Sequence, residues 1–173
     1  MDVVEIALVE RDLVDAWATH LASETAGTAV SLGRHCPACG STRHGRPLVT
    51  GRPDVHVSLA RAGAQAVVAA ARVPVGIDAE QRGAVDADAL AAADLPPAAD
   101  PTLAWVTAEA RGKLAGTGLR GPSRDGLMTT VAVGHGLVVV LATHAPVTVR
   151  FREVEGAPDG AATAPGTPHR PRR

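Results

Sequence analysis

Gly76-Ile77-Asp78-Ala79-Glu80, followed downstream by Trp105-Val106-Thr107-Ala108-Glu109-Ala110-Arg111-Gly112-Lys113, is the pair of segments on which the reading of this chain turns. In the first, Asp78 and Glu80 stand two apart, so an extended strand carries both carboxylates on one face. Neighbouring carboxylates repel each other and favour a shared proton or a divalent cation. Hard oxygen ligands suit Mg2+, which completes its shell with water and phosphate oxygens. In the second, Trp105, Glu109 and Lys113 recur at a spacing of four and share one stripe of a helix. A Glu four residues before a Lys is also a common exposed helix pair, worth only about 0.2–0.5 kcal/mol. A D-x-E at a strand terminus is often just a solvated end. Those ordinary explanations leave a tryptophan on the same stripe unaccounted for. Taken together, the segments make Asp78, Glu80 and Glu109 a candidate metal site, with Lys113 a point charge facing phosphate.

Outward from these segments, the chain reads as helix and strands, then helix and strands again. Leu8 to Ala26 has near-helical apolar spacing and ends at Gly27, a suitable C' residue. Arg34 to Pro53 holds too many breakers for a long element. Val55 to Leu59, Ala64 to Ala71 and Val73 to Ile77 are predicted strands, an antiparallel meander leading into Asp78. A short helix is predicted over Asp86 to Ala93, and a longer one over Leu103 to Ala115, stopped by Gly116 and Gly118. Leu127 to Val133 and Leu137 to Thr143 flank Gly134-His135-Gly136, a hairpin signal, and Val147 to Val154 is a last strand. Residues 156–173 are rich in Pro, Gly and Ala and are expected to be a disordered tail. The fold class is therefore α+β, with one domain over 1–155.

Composition narrows the function classes. Of 173 residues, 46% are hydrophobic but only 2% aromatic, so a core must come from Ala, Val and Leu. A formal net charge of −1 argues against a general nucleic-acid binder. No apolar run is long enough to span a bilayer, and the acidic start Met1-Asp2-Val3-Val4-Glu5 is unlike a signal peptide, so a cytoplasmic protein is expected. Lysine and arginine total 17, of which Lys113 is the sole lysine.

Here a family enters. Gly76 to Glu80 and Trp105 to Leu119 resemble the two signatures of the 4'-phosphopantetheinyl transferase superfamily, and Gly45-Arg46-Pro47 is similar to a third short motif of it. Val57-Ser58-Leu59-Ala60-Arg61-Ala62-Gly63 stands where the family carries a segment ending Ser-His-Ser/Thr-Gly. The likeness runs from about Cys36 to Leu119 and is nearest the Sfp-like, actinobacterial type. It implies a fold of two pseudo-symmetric lobes, roughly 1–74 and 75–155, each a helix on a small, mainly antiparallel sheet. It implies transfer of 4'-phosphopantetheine from coenzyme A to a serine of an acyl or peptidyl carrier protein, in fatty-acid, polyketide or nonribosomal peptide synthesis. By the same resemblance Asp78, Glu80 and Glu109 hold Mg2+, Glu109 helps deprotonate the serine, and Lys113 neutralises phosphate charge. Arg46 and Arg61 would contact coenzyme A, and the two-lobe members' monomeric state is expected. Three positions depart from the pattern: Ala60 and Arg61 replace the family's Ser-His, and Ala108 replaces a lysine. They leave open a second reading, a degenerate homologue that binds coenzyme A or a carrier protein without efficient transfer.

Cys36-Pro37-Ala38-Cys39 with His44 offers three zinc-type ligands. Only two cysteines exist and no second C-x-x-C occurs, so a turn with two reduced thiols is expected rather than Zn2+. Zinc at Cys36 and Cys39 would make the chain a small interaction module, a third reading. His56, His135 and His144 receive no role.

Overall fold

Val3-Val4-Glu5-Ile6-Ala7-Leu8-Val9-Glu10 is dominated by β-branched and aliphatic residues, and Val4, Ile6, Ala7, Leu8 and Val9 are all buried. In the computed structural model, which describes residues 1–36, 39–119 and 126–159, it forms strand β1 (Val3–Glu10). The helix expected from Leu8 starts later. Leu8 pairs with Val67 on one side and Glu153 on the other, and a strand paired along both edges overrides a helical apolar period. A 3-10 turn (Arg11–Leu13) follows, then helix α1 (Val14–Ala26), which ends at Gly27 with φ of 72°.

The breaker-rich stretch holds two short strands, β2 (Leu32–His35) and β3 (Arg46–Val49), paired antiparallel as a hairpin. Strands β4 (His56–Ala62) and β5 (Gln65–Ala71) pair antiparallel as expected. The third strand of the expected meander does not join them. After the turn at Arg72-Val73-Pro74, β6 (Val75–Gln81) moves to a different sheet. Helices α2 (Ala87–Ala92) and α3 (Pro101–Ala115) follow, capped by Asp86 and Asp100, whose side chains accept from Ala89 N and Leu103 N. Such caps are worth about 1 kcal/mol each. Strands β7 (Leu127–Val131) and β8 (Leu137–Thr143) form a further hairpin, and β9 (Thr148–Glu153) closes the order.

Two main sheets result, β4-β5-β1-β9 and β6-β8-β7. Strand β9 lies parallel to β1, so the last strand belongs to the first sheet. The sheets face each other through Ile6, Leu8, Val67, Ile77, Val139 and Leu141. Helix α1 covers the outer face of the first sheet with Trp17, Ala18, Leu21 and Ala22. Helix α3 covers the outer face of the second with Val106, Ala110 and Leu114 against Val138, Val140 and Ala142. The layers are helix, sheet, sheet, helix, and the class is α+β. Each fully buried Leu, Ile or Val contributes about 1.5–3 kcal/mol, so small aliphatics in number substitute for the scarce aromatics. Of the expected tail, Gly156 O accepts from Trp17 Nε1 at 2.9 Å, while residues 160–173 lie outside the described residues. Among the described residues, no helix is long and apolar enough to cross a membrane.

Candidate active site

Strand β6 alternates. Val75, Ile77 and Ala79 point into the core between the sheets, which turns Gly76, Asp78 and Glu80 toward α3. Gly76 is what lets the helix approach. A Cβ there would lie 2.1 Å from Ala110 O and 2.4 Å from Leu114 N, closer than any real side chain could sit. At the far end of α3, a Cβ on Gly112 would meet Gly118 O at 2.5 Å, so the turn after the helix folds back tightly against it. At the other end, buried Thr102 accepts from Gly83 N at 3.1 Å and ties the segment after β6 to the first turn of α3. Backbone fit thus sets the helix stripe over the strand carboxylates.

Lys113 reaches from α3 to the seam where the two sheets meet. β4 is the edge strand of one sheet and β6 the edge strand of the other. Lys113 Nζ donates to Leu59 O of β4 at 3.1 Å, to Ile77 O of β6 at 3.1 Å and to Asp78 Oδ1 at 2.6 Å. An ammonium has three N–H donors, so all are used. Ser58 adds a second bridge across the seam, its Oγ accepting from Ile77 N at 3.0 Å. The Asp78 side chain is only 10% exposed, and its other oxygen, Oδ2, is buried without a hydrogen-bond partner.

The charges here act on one another. Burial pushes the Asp78 carboxyl above its ordinary range, against the opposing pull of the Lys113 charge and hydrogen bond. Glu80 is pushed up by burial and by the negative charge of Asp78, with Lys113 again opposing. Glu109 is pushed up by burial and then by Asp78, with Lys113 opposing and Glu80 adding a smaller upward push. A further cation beside Lys113 would relieve all three carboxylates, and the unpartnered Asp78 oxygen is a ready hard donor. The three carboxylates offer hard oxygen donors of the kind Mg2+ takes. Their oxygens are not drawn into one tight cluster: among the described residues, the only three His, Cys, Asp or Glu ligand atoms all within 4.8 Å of one another are those of Cys36, Cys39 and His44.

Beside Lys113 opens a cavity of about 390 Å³, lined by Arg34 and Arg46 from the β2–β3 hairpin, by Ser58 and Leu59, and by Gly116 to Gly118. Arg46 therefore shares a cavity with Lys113. Arg61 does not line it; its guanidinium is held toward Asp15 of α1, 3.4 Å away, and Arg34 meets the same carboxylate at 2.8 Å. Ala60 packs in the core between the sheets, and Trp105 packs against the α3 cluster. Sequence reasoning missed Arg34, because nothing in its local pattern sets it apart from the other arginines. It also missed the Leu59 and Ile77 carbonyls, since a backbone acceptor leaves no mark in residue type. No protein-family model matches the chain, and no curated protein matches it.

Proposed function

We propose that the chain is a Mg2+-dependent 4'-phosphopantetheinyl transferase, moving the phosphopantetheine arm of coenzyme A onto a serine of an acyl or peptidyl carrier protein. The observation that carries this reading is the convergence at the sheet seam. Asp78, whose charge raises the proton affinity of Glu80 and Glu109 and whose second oxygen is buried without a partner, pairs with Lys113, which lines a cavity together with Arg34 and Arg46. Asp78, Glu80 and Glu109 would hold the cation, which when bound supplies charge neutralisation for a pyrophosphate. Glu109 is the group to take the serine proton, since a carboxyl with a raised pKa is the stronger base once ionised. Lys113 and the two arginines offset charge on the phosphates and on the departing 3',5'-ADP, whose formation balances attack of the serine oxygen on the β-phosphorus. The corresponding fold reading is two lobes, 1–74 and 75–155. It is supported by α1 on one sheet and α3 on the other; β9, from the second lobe's residues, adds to the first lobe's sheet.

The test is direct. Incubated with Mg2+, coenzyme A and a panel of apo carrier proteins, the chain is expected to add a phosphopantetheine mass to the carrier serine. Glu109→Ala and Asp78→Ala are each expected to abolish that addition. Retained transfer in either variant would sink the site assignment. One observation favours the second reading, a coenzyme A or carrier binder without efficient transfer: all three Lys113 donors are already engaged by the protein. Coenzyme A binding by calorimetry, without mass addition on any carrier, would select it.

A further inference from the structure

Zinc prefers thiolate and imidazole ligands in tetrahedral arrangement, with Zn–S near 2.3 Å and Zn–N near 2.0–2.1 Å. Those bond lengths place a sulfur and a nitrogen ligand about 3.6 Å apart across a tetrahedral edge. Cys39 Sγ and His44 Nε2 are 3.4 Å apart, and the ligand atoms of Cys36, Cys39 and His44 all lie within 4.8 Å of one another. The backbone is shaped to bring them there. Cys36 N donates to Ser41 O at 2.9 Å and Gly40 N to Cys36 O at 2.8 Å, and Gly40 takes φ of 71°. Gly45, with φ of 103°, returns the chain against the end of β2; a Cβ there would sit 2.3 Å from His35 O and 2.6 Å from Cys36 Cα. That close return sets His44 beside the two cysteines. No disulfide joins the cysteines.

We propose that Cys36, Cys39 and His44 form a zinc site at the tip of the β2–β3 hairpin. The thiolates bind as the two thiol protons leave to solvent, and three protein ligands leave a fourth position for water or another group. The sequence offers the same three ligands but favours a bare turn, because only two cysteines exist and no second C-x-x-C occurs; the close return at Gly45 is what sets His44 within reach. The consequence reaches the active-site cavity. Arg34 precedes the first ligand by two residues and Arg46 follows the last by two, and both line the cavity beside Lys113, as does Cys36 itself. Zinc would hold the hairpin tip and with it the two guanidinium groups. This inference is independent of the transfer reading, since its readouts are metal content and hairpin protection.

The experiment uses the full chain, purified under reducing conditions with any polyhistidine tag removed. Elemental analysis is expected to find about one zinc ion per chain. Replacing zinc by Co2+ should give the intense visible bands of tetrahedral thiolate–imidazole coordination. Cys39→Ser and His44→Ala should reduce zinc to background. Because a variant could lose zinc by failing to fold, chelation of the folded wild type provides the second arm. Removing zinc should speed amide exchange across 32–49 while β1, β5 and β8 stay protected, and adding zinc back should reverse it. Zinc at background in the wild type with no cobalt spectrum, undiminished zinc in both variants, or a Cys36–Cys39 disulfide in the fresh protein would each overturn the site. Unchanged exchange on chelation would overturn its hold on the hairpin.

Discussion

Replacing Lys113 by Met tests the seam most sharply. The substitution keeps much of the aliphatic stem and removes the ammonium that bridges Leu59 O, Ile77 O and Asp78 Oδ1. Breaking a fully buried ion pair by removing one partner costs about 3–5 kcal/mol. The Lys113 side chain is 29% exposed and the Asp78 side chain 10%, so the pair is not fully shut off from water. The main loss is the cation beside Asp78, and we expect about 3 kcal/mol at neutral pH, below the middle of that range. For a chain of this length that lowers Tm by about 6–12 °C. The pH dependence follows from the direction of the Asp78 shift. Its carboxyl is raised in the folded state, so the folded protein binds its proton more tightly than the unfolded chain. The stability this lends is present at acid pH and is lost as pH climbs through the folded pKa. Removing Lys113, which opposes the rise, moves that window upward. The gap between wild type and Lys113→Met should therefore be narrow at pH near 5 and wide near 8. Urea unfolding followed by the fluorescence of Trp17 and Trp105 reads it, with Asp78→Asn and the double variant completing a cycle. The cycle should return a coupling of about 1–2 kcal/mol. Equal losses at both pH values, or additive single variants, would refute the argument that a charge pair holds the seam.

Three further outcomes are open to simple measurement. Gly76→Ala should push α3 off β6 and cost about 3 kcal/mol, as overpacking does, because its new Cβ would lie 2.1 Å from Ala110 O. Gly134→Ala is the control: its Cβ meets nothing within 4 Å, and its midpoint should move by less than about 0.5 kcal/mol. Asp54 is held down to about 2, chiefly by its hydrogen bond from Arg52. Its contribution is present above the ordinary carboxylate range and fades as pH falls toward that value. Carbon-detected NMR should follow it there, and Arg52→Gln should return it toward about 3.9; a wild-type Asp54 titrating near 4 would contradict the assignment.

Much of the local structure was legible because it rests on neighbouring residues. Asp100 and Gly116 bound α3 through backbone groups within a turn or two, and the Gly134-His135-Gly136 hairpin needs only its own positive φ at His135 and Gly136. What was not legible depended on distant partners. Strand β1 was read partly as helix because its strand character comes from β5 and β9, roughly 60 and 145 residues away, rather than from its own spacing. The β2–β3 hairpin was hidden among breakers, since four residues on each side suffice when the register runs from Leu32 opposite Val49 to His35 opposite Arg46.

The site divides in the same way. From sequence alone, Asp78 and Glu80 belong on one face of a strand and Trp105, Glu109 and Lys113 on one stripe of a helix, because these are periodicities of the backbone. Only tertiary structure decided that Gly76 lets that stripe close on that face, that Lys113 spends its donors across two sheet edges, and that Arg34 joins Arg46 while Arg61 turns to Asp15. Spacing determines which side chains share a face. Packing determines which faces meet, since the burial and close approach that select one arrangement come from residues far apart in the chain.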